Sequence, residues 1–270
     1  MVNPVTLRGS SLEGGLAFLG GPYNNHRALR AVLEDARSRG AARIFCLGDL
    51  GGFGPHPEKI YPLLREYEVF TIAGNYDRSL AERLSDCGCG YTHPDDNRYA
   101  QLSYDYTNRR TSDDERSWLG TLPEQATFER GGRRYRLCHG SPRRVNEFLW
   151  ESASSDAFLA RLAREAGADT LLCTHTGIPW QRSLPGNARI INVGTVGRPA
   201  NDGRTEVWYA LLPPGAEAVE FMAVRYDHEA LALEMEEERL PALFVETIRT
   251  GWWTTCLEIL PAKERARGRH

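Results

Sequence analysis

The sequence lacks any run of about 20 apolar residues, the length that a membrane-spanning helix needs. Its first residues, Met1 to Glu13, contain no apolar core of the kind found in secretory signal peptides. Internal repeats and low-complexity segments are also missing, and the formal net charge of the 270 residues is only −3. Proteins that coat nucleic acid favour a basic surface, so this charge argues weakly against that role without excluding a nucleotide substrate. We therefore expect a cytoplasmic protein with no membrane partner, and the composition leaves oligomerisation open.

The six cysteines do not form the pattern of a disulfide framework. Cys46, Cys138 and Cys173 lie in apolar runs that are typical of buried strands, and a buried free thiol is ordinary in a reducing compartment. The segment Cys87-Gly88-Cys89 lacks the second cysteine pair of a structural zinc site, so we interpret it as a tight loop.

The composition, 41% hydrophobic and 26% charged, is that of an ordinary soluble α/β protein. Short apolar runs alternate with segments of helical spacing in the first third, which predicts parallel strands joined by crossover helices. The predicted strands are Leu16–Leu19, Arg43–Leu47, Val69–Ala73, Thr127–Glu129, Arg134–Cys138, Thr170–Cys173, Arg189–Val193, Thr205–Leu212 and Val219–Arg225. Residues 1–225 are predicted to form the core domain. Residues 226–270 are predicted to form a C-terminal extension, helical across His228–Leu260, that packs on this domain.

Polar residues follow four of the predicted core strands, and four of them are potential metal ligands: Asp49, Asn75, His139 and His175. Ligands of open α/β sheets bind beyond the carboxyl ends of the strands, so these side chains should meet at one edge. One carboxylate, one carboxamide and two imidazoles suit Mn, Fe, Co, Ni or Zn better than Ca or Mg. A divalent ion held by one carboxylate keeps a charge of about +1, which attracts a phosphate oxygen and allows the ion to activate a bound water.

Four segments resemble the ordered motifs of calcineurin-like metallophosphoesterases, closest to the bacterial branch of small phosphodiesterases and diadenosine-tetraphosphate hydrolases. These segments are Cys46-Leu47-Gly48-Asp49-Leu50-Gly51-Gly52-Phe53-Gly54-Pro55, Ala73-Gly74-Asn75-Tyr76-Asp77, Cys138-His139-Gly140-Ser141-Pro142 and Ile191-Asn192-Val193-Gly194-Thr195-Val196-Gly197-Arg198-Pro199. The resemblance runs from Leu16 to about Leu212. It implies a four-layer α/β/β/α sandwich of two mixed sheets flanked by helices.

The resemblance also implies two metal ions bridged by one aspartate, with a bridging hydroxide that attacks phosphorus. Asp49 matches the bridging aspartate, and Asn75, His139 and His175 match the other ligands of the second metal. The chain departs from the pattern at the private ligands of the first metal, where Gly21, Tyr23 and Gly177 replace Asp, His and His. Substitute ligands could come from these residues: Tyr23, Asn24, Asn25 and His26. Carboxamide and phenol groups are poorer ligands, so we predict one metal ion per chain.

Two groups of residues are candidates for roles beyond metal binding. Tyr76 replaces the general-acid histidine of the family, and Asp77 caps the next helix or orients a neighbour; both are candidate catalytic residues. The glycine-rich loop around Gly21 could bring backbone N–H groups to an anion, and the candidate phosphate-binding residues are Tyr23, Asn24, Asn25 and Arg144.

We therefore predict a metal-dependent phosphoesterase that acts on a small phosphorylated or nucleotide substrate through one intact metal site and an altered first site. The alternative is a catalytically inactive phosphate- or nucleotide-binding protein on the same fold, because a fold does not fix a function.

Overall fold

A computed structural model describes residues 3–266, so the last residues of the predicted extension, 267–270, lie outside the described part of the chain. Two mixed β-sheets stack against each other with helices on both outer faces, which confirms the predicted four-layer sandwich. The strands are β1 (Val5–Thr6), β2 (Gly15–Leu19), β3 (Ala41–Cys46), β4 (Phe70–Thr71), β5 (Gln125–Arg130), β6 (Arg133–Cys138), β7 (Thr170–Cys173), β8 (Pro179–Ser183), β9 (Arg189–Val193), β10 (Val207–Leu212) and β11 (Glu220–Val224). The helices are α1 (His26–Ser38), α2 (Ile60–Glu66), α3 (Asn75–Ala81), α4 (Pro94–Arg110), α5 (Asp113–Leu119), α6 (Asp156–Glu165), α7 (His228–Glu237), α8 (Ala242–Thr250) and α9 (Ala262–Ala266).

The strand order is β1-β5-β6-β7-β9-β8 in the first sheet and β11-β10-β2-β3-β4 in the second. The strands β6, β7 and β9 are parallel, as are β2, β3 and β4, while hairpin partners such as β5 and β6 are antiparallel. Parallel neighbours end at the same edge. The loops after β3, β4, β6 and β7 therefore all lie at one edge of the sandwich.

Aromatic rings fill the space between the two sheets and fix the distance between their edges. Phe18 stacks on Phe45 with ring centroids 5.1 Å apart, and Phe128 lies 5.8 Å from Phe45 and 4.7 Å from Tyr135. All four side chains are buried, and burying one such ring contributes on the order of 1.5–3 kcal/mol. The site loops of the two sheets are therefore held together by a rigid core.

The outer helices are amphipathic and pack on the sheets through one apolar face. Helix α1 buries Leu29, Val32 and Leu33 against the second sheet. It begins after Asn25, whose side-chain oxygen accepts a hydrogen bond from the N–H of Ala28 at 3.0 Å, the geometry of a helix N-cap. None of the helices between residues 3 and 266 combines the length and apolar character needed to cross a lipid bilayer.

The C-terminal region, predicted to be helical across His228–Leu260, is helical only in part. Helix α7 ends before Pro241, which opens α8, and α8 ends at Gly251, whose φ of 74° lies in the left-handed region. Residues 252–261 are irregular, with bends and one turn, so the helical prediction is wrong there. Helices α7 and α8 pack on Phe53 and Tyr106 of the core domain through a shared apolar cluster.

Candidate metal centre

Four loops from both sheets bring the predicted ligands to one place. Asp49 and Asn75 follow β3 and β4 of the second sheet, while His139 and His175 follow β6 and β7 of the first. The ligand atoms of Asp49, His139 and His175 all lie within 4.8 Å of one another, and all three side chains are buried. The predicted convergence of these three side chains at one sheet edge is therefore present in the structure.

Hydrogen bonds set the orientation of the two imidazoles. The Nε2 atom of His139 lies 3.0 Å from Oδ2 of Asp49 and 3.1 Å from Nδ1 of His175. The Nδ1 atom of His139 lies 2.6 Å from the carbonyl oxygen of Leu47. A proton on Nδ1 donated to this carbonyl leaves the lone pair of Nε2 for a metal, the usual arrangement of a metal-binding histidine.

Two polar atoms beside this cluster are buried and have no hydrogen-bond partner: Oδ1 of Asn75 and Nε2 of His175. The amide nitrogen of Asn75 donates to the carbonyl oxygen of Cys87 at 2.9 Å, so its amide oxygen remains available. Buried polar atoms rarely lack partners, because an unsatisfied group costs about 1–3 kcal/mol. The oxygen and nitrogen donors of these residues fit a divalent transition metal.

The electrostatics of the pair of imidazoles also suit a metal. Burial and the neighbouring His139 lower the pKa of His175 to about 3, so this ring is neutral at neutral pH. Burial alone would lower the pKa of His139, but the Asp49 carboxylate reverses this and raises it above its ordinary value. A metal ligand must be neutral imidazole, so a bound metal would replace the proton that Asp49 favours on His139.

Asp77 holds the loop that carries Asp49. Its fully buried carboxylate accepts hydrogen bonds from the N–H groups of Asp49, Gly74 and Leu50 at 2.7, 2.8 and 3.0 Å. Burial and the nearby Asp49 charge raise the pKa of Asp77 to about 6. Asp49 has a φ of 59°, a conformation that costs free energy in a non-glycine residue and persists only when its surroundings impose it.

Tyr76 lies beside the same loop and its hydroxyl is buried. The backbone N–H of Tyr76 donates to Oδ1 of Asp49 at 3.0 Å, and its hydroxyl lies 3.4 Å from Oγ of Ser103. The ring packs edge-on against Tyr104 with centroids 5.3 Å apart. Burial raises the pKa of the Tyr76 hydroxyl above its ordinary value, which makes it a weaker acid.

The side-chain amides of Asn24 and Asn25 donate to other parts of the protein. Asn24 is buried and donates to the carbonyl oxygen of Gly54 at 3.1 Å and to Oγ1 of Thr107 at 2.9 Å. Asn25 donates to the carbonyl oxygen of Gly197 at 3.3 Å in addition to capping α1. The backbone N–H groups of residues 23–26 also donate within the protein, so none of these four is free for an anion. A phosphate-binding role for Asn24 and Asn25 stays a prediction.

Tyr23 and Arg144 lie on different sides of the cluster. Tyr23 lines a cavity of about 60 Å³ together with Asp49, His175 and Arg198. This is space for several water molecules and therefore for a phosphoryl group. Arg144 is exposed and lines a separate depression with His139. Its contact with phosphate stays a prediction.

Two features of the site were not predicted from the sequence. The segment predicted as a tight loop contains a disulfide between Cys87 and Cys89 that the sequence did not predict, because the turn at Gly88, with a φ of 60°, brings their Cα atoms to 5.3 Å. The other four cysteines are free and buried. The second unpredicted feature is the buried guanidinium of Arg198 in the cavity wall. Its sequence signal was limited to its place in the motif that ends at Pro199.

The chain belongs to the calcineurin-like phosphoesterase superfamily, whose domain model matches residues 23–213. This confirms the family predicted from the four motifs. An uncharacterised protein of Methanocaldococcus jannaschii is 25% identical over 252 residues, which cover 87% of this chain and 98% of that protein.

Two crystal structures share the fold over nearly their whole length. A hypothetical protein of Pyrococcus horikoshii is 22% identical with a TM-score of 0.74, covering 88% of this chain and 98% of that one. A metallophosphoesterase of Sphaerobacter thermophilus is 25% identical with a TM-score of 0.68, covering 88% of this chain and 99% of that one. Membership of the superfamily and the likeness to the Sphaerobacter thermophilus metallophosphoesterase support a metal-dependent phosphoesterase in general.

Proposed function

We propose that this chain hydrolyses phosphate esters with one divalent transition-metal ion, Mn, Fe, Zn, Co or Ni, held by Asp49, Asn75, His139 and His175. The observation that carries the proposal is the pair of buried, unpartnered atoms, Oδ1 of Asn75 and Nε2 of His175, beside a carboxylate and imidazole cluster. Buried polar atoms in folded proteins normally have hydrogen-bond partners. A metal ion supplies the partner that both of them lack.

A metal held there would act as a Lewis acid toward a phosphoryl oxygen. The chain's own residues prepare the site for it. Asp77 fixes the Asp49 loop through three backbone hydrogen bonds, and the carbonyl of Leu47 fixes the tautomer of His139. Tyr76 closes one wall of the cavity, and its hydroxyl can donate a hydrogen bond without losing its proton.

The substrate class that fits is a small phosphorylated molecule or nucleotide. The cavity beside Asp49 has room for a phosphoryl group, and its wall contains aromatic rings against which an organic substituent can pack, among them Tyr23, Phe53 and Tyr99. A cytoplasmic location remains the expectation from the sequence, and an oligomer remains possible.

The test combines metal analysis with turnover. We expect about one transition metal per purified chain and Mn-dependent hydrolysis of bis(4-nitrophenyl) phosphate. Asp49→Ala should lose both, whereas Asp114→Ala, at an exposed position of α5, should keep both. About two metals per chain would mean that other residues rebuild a first site. Full metal content and activity in Asp49→Ala would contradict the ligand assignment.

A second function, phosphate or nucleotide binding without turnover, is favoured by one observation. The group at the position of the family's general acid is a buried tyrosine whose pKa is raised, so proton donation to a leaving group is weaker than from histidine. Metal binding without turnover of any aryl phosphate ester would support this second function.

A further inference from the structure

Aromatic rings occupy the space around the three positions that depart from the family pattern. A Cβ atom added at Gly21 would lie 2.3 Å from the ring of Tyr23, and one added at Gly177 would lie 3.2 Å from the ring of Trp253. The backbone at Gly177 also has a φ of 77°, which disfavours a side chain. Packed rings of Tyr23 and Trp253 therefore lie beside Gly21 and Gly177, where the resemblance implies ligands of a first metal.

Arg198 places a positive charge among these rings. Its side chain is only 7% exposed, and its guanidinium carbon lies 3.4 Å from the centre of a Trp253 ring and 5.9 Å from those of Tyr23 and Phe53. Arg198 lines the same cavity as Asp49 and His175. The charge of a buried arginine thus faces the open side of the metal centre.

This charge has no counterion within the described part of the chain. Among residues 3–266, ion pairs are formed by Arg182 and Arg204 on either side of it in the sequence but not by Arg198, whose Nε atom is buried without a hydrogen-bond partner. Contacts with aromatic faces stabilise a guanidinium only partly, and a buried charge without a partner is strongly unfavourable. An anion that enters the cavity would complete the environment of Arg198.

We propose that Arg198 is the phosphate-binding cation of this site and stands in for the charge of a first metal. The inference rests on the proposed function and names the group that holds the phosphoryl oxygens. A guanidinium presents a planar pair of donors that matches two oxygens of one phosphate. A metal held by Asp49, Asn75, His139 and His175 would act on the same phosphoryl group as Arg198, and among the described residues that line the cavity Asp49 is the one carboxylate.

The experiment compares three variants of the full-length, metal-loaded protein. Arg198→Met keeps the length and packing of the stem but removes the charge, and Arg198→Gln keeps a polar head group should the methionine variant fail to fold. Arg204→Met is the matched control, because Arg204 also packs over a tryptophan, 5.1 Å from the ring of Trp208, but is exposed and outside the cavity. The readouts are metal content, the Kd for inorganic phosphate by calorimetry, and kcat and KM on bis(4-nitrophenyl) phosphate.

Both Arg198 variants should keep the metal and weaken phosphate binding about 10- to 100-fold, the range for loss of charge-assisted hydrogen bonds. The weaker binding should raise KM by at least as large a factor as it lowers kcat. Arg204→Met should match the wild type in phosphate affinity, KM and kcat. Phosphate affinity and kcat/KM within about twofold of wild type in a folded Arg198 variant would overturn the inference while leaving the hydrolase proposal intact. A wild type that binds phosphate through Arg198 but hydrolyses no ester would support the inference and refute the hydrolase proposal. A metal-loaded wild type that binds no phosphate would overturn the inference.

Discussion

Replacing Asp77 with asparagine tests whether the protein itself preorganises the ligand loop. The carboxylate of Asp77 accepts N–H bonds from Asp49 and Gly74 through Oδ2 and from Leu50 through Oδ1. Asparagine has one carbonyl oxygen, which can keep the two bonds of Oδ2. Its NH₂ group then faces the N–H of Leu50. The variant leaves one buried donor without an acceptor directly beside a metal ligand.

The expected loss follows from that single unsatisfied donor. It costs about 1–3 kcal/mol of unfolding free energy, a sizeable part of the ~5–15 kcal/mol of a typical domain. Removing a residue that orients a metal ligand lowers metal affinity about 10- to 100-fold. At a metal concentration of 100 times the wild-type Kd, the metal stabilises the wild type by about 2.7 kcal/mol. The same concentration would stabilise the variant by only about 0.4–1.4 kcal/mol.

The assay is urea unfolding with and without Mn at that fixed concentration. The control is Asp96→Asn, because Asp96 is also a buried carboxylate that accepts a backbone N–H, from Ile259 at 2.9 Å, but lies outside the ligand loops. Asp96→Asn should lose about 1–3 kcal/mol of unfolding free energy, and Mn should stabilise it by the same amount as the wild type. The reasoning is refuted if Mn also stabilises Asp77→Asn by that amount, since Asp77 would then stabilise the fold without positioning the ligands.

Three further predictions follow from the same structure. Burial lowers the pKa of His26 to about 4, although Glu234 opposes this, so the folded chain loses stability as pH falls from 6.5 toward 4. For a partly solvated group this loss of unfolding free energy is about 1 kcal/mol. The Tm of the wild type should therefore fall by about 2–4 °C more over this pH range than the Tm of His26→Gln. Equal slopes of Tm against pH in the two proteins would contradict this prediction. Tyr76→Phe should lower kcat by less than about tenfold, because the hydroxyl keeps its proton, whereas a fall of about 10²–10⁴-fold would identify it as the general acid. Deletion of residues 226–270 should abolish cooperative thermal unfolding, monitored by circular dichroism, because it uncovers the apolar face of Phe53 and Tyr106; a soluble fragment with an unchanged Tm would refute it.

Most strands, and the positions of Asp49, His139 and His175 just after them, were predictable because the sequence encodes them locally. The apolar runs in Arg43–Leu47 and Thr170–Cys173 are typical of buried strands. Asp49 and His175 follow them within two residues, at the carboxyl ends of β3 and β7. Parallel pairing of β3 with β4 places Asp49 near Asn75, and parallel pairing of β6 with β7 places His139 near His175. The two pairs meet only because the two sheets stack on each other through their aromatic core. Strand β8 was missed because it begins with proline and contains few apolar residues, which an edge strand tolerates.

The buried position of Arg198 and the irregular C-terminal segment could not be predicted, because both depend on contacts between residues far apart in the sequence. Arg198 lies in a glycine-rich motif, and nothing local shows that Trp253, far along the chain, covers it. The indole N–H of Trp253 donates to the carbonyl oxygen of Pro199 at 2.6 Å, and its backbone N–H donates to Asn201. These contacts attach Trp253 to the segment around Asn201, and residues 252–261 are irregular instead of helical.

The departures from the family pattern and the C-terminal extension depend on each other. An aspartate at Gly21 would clash with Tyr23, and a histidine at Gly177 would meet Trp253 in a backbone conformation that disfavours any side chain. We therefore expect that restoring a ligand at Gly21 or Gly177 alone does not create a first metal site, because the rings of Tyr23 and Trp253 would have to move as well. Their departure would remove the aromatic faces that pack against the Arg198 guanidinium. On the inference above, Arg198 within its aromatic rings takes the place of a first metal and its ligands, and metal analysis of the wild type decides between the two arrangements.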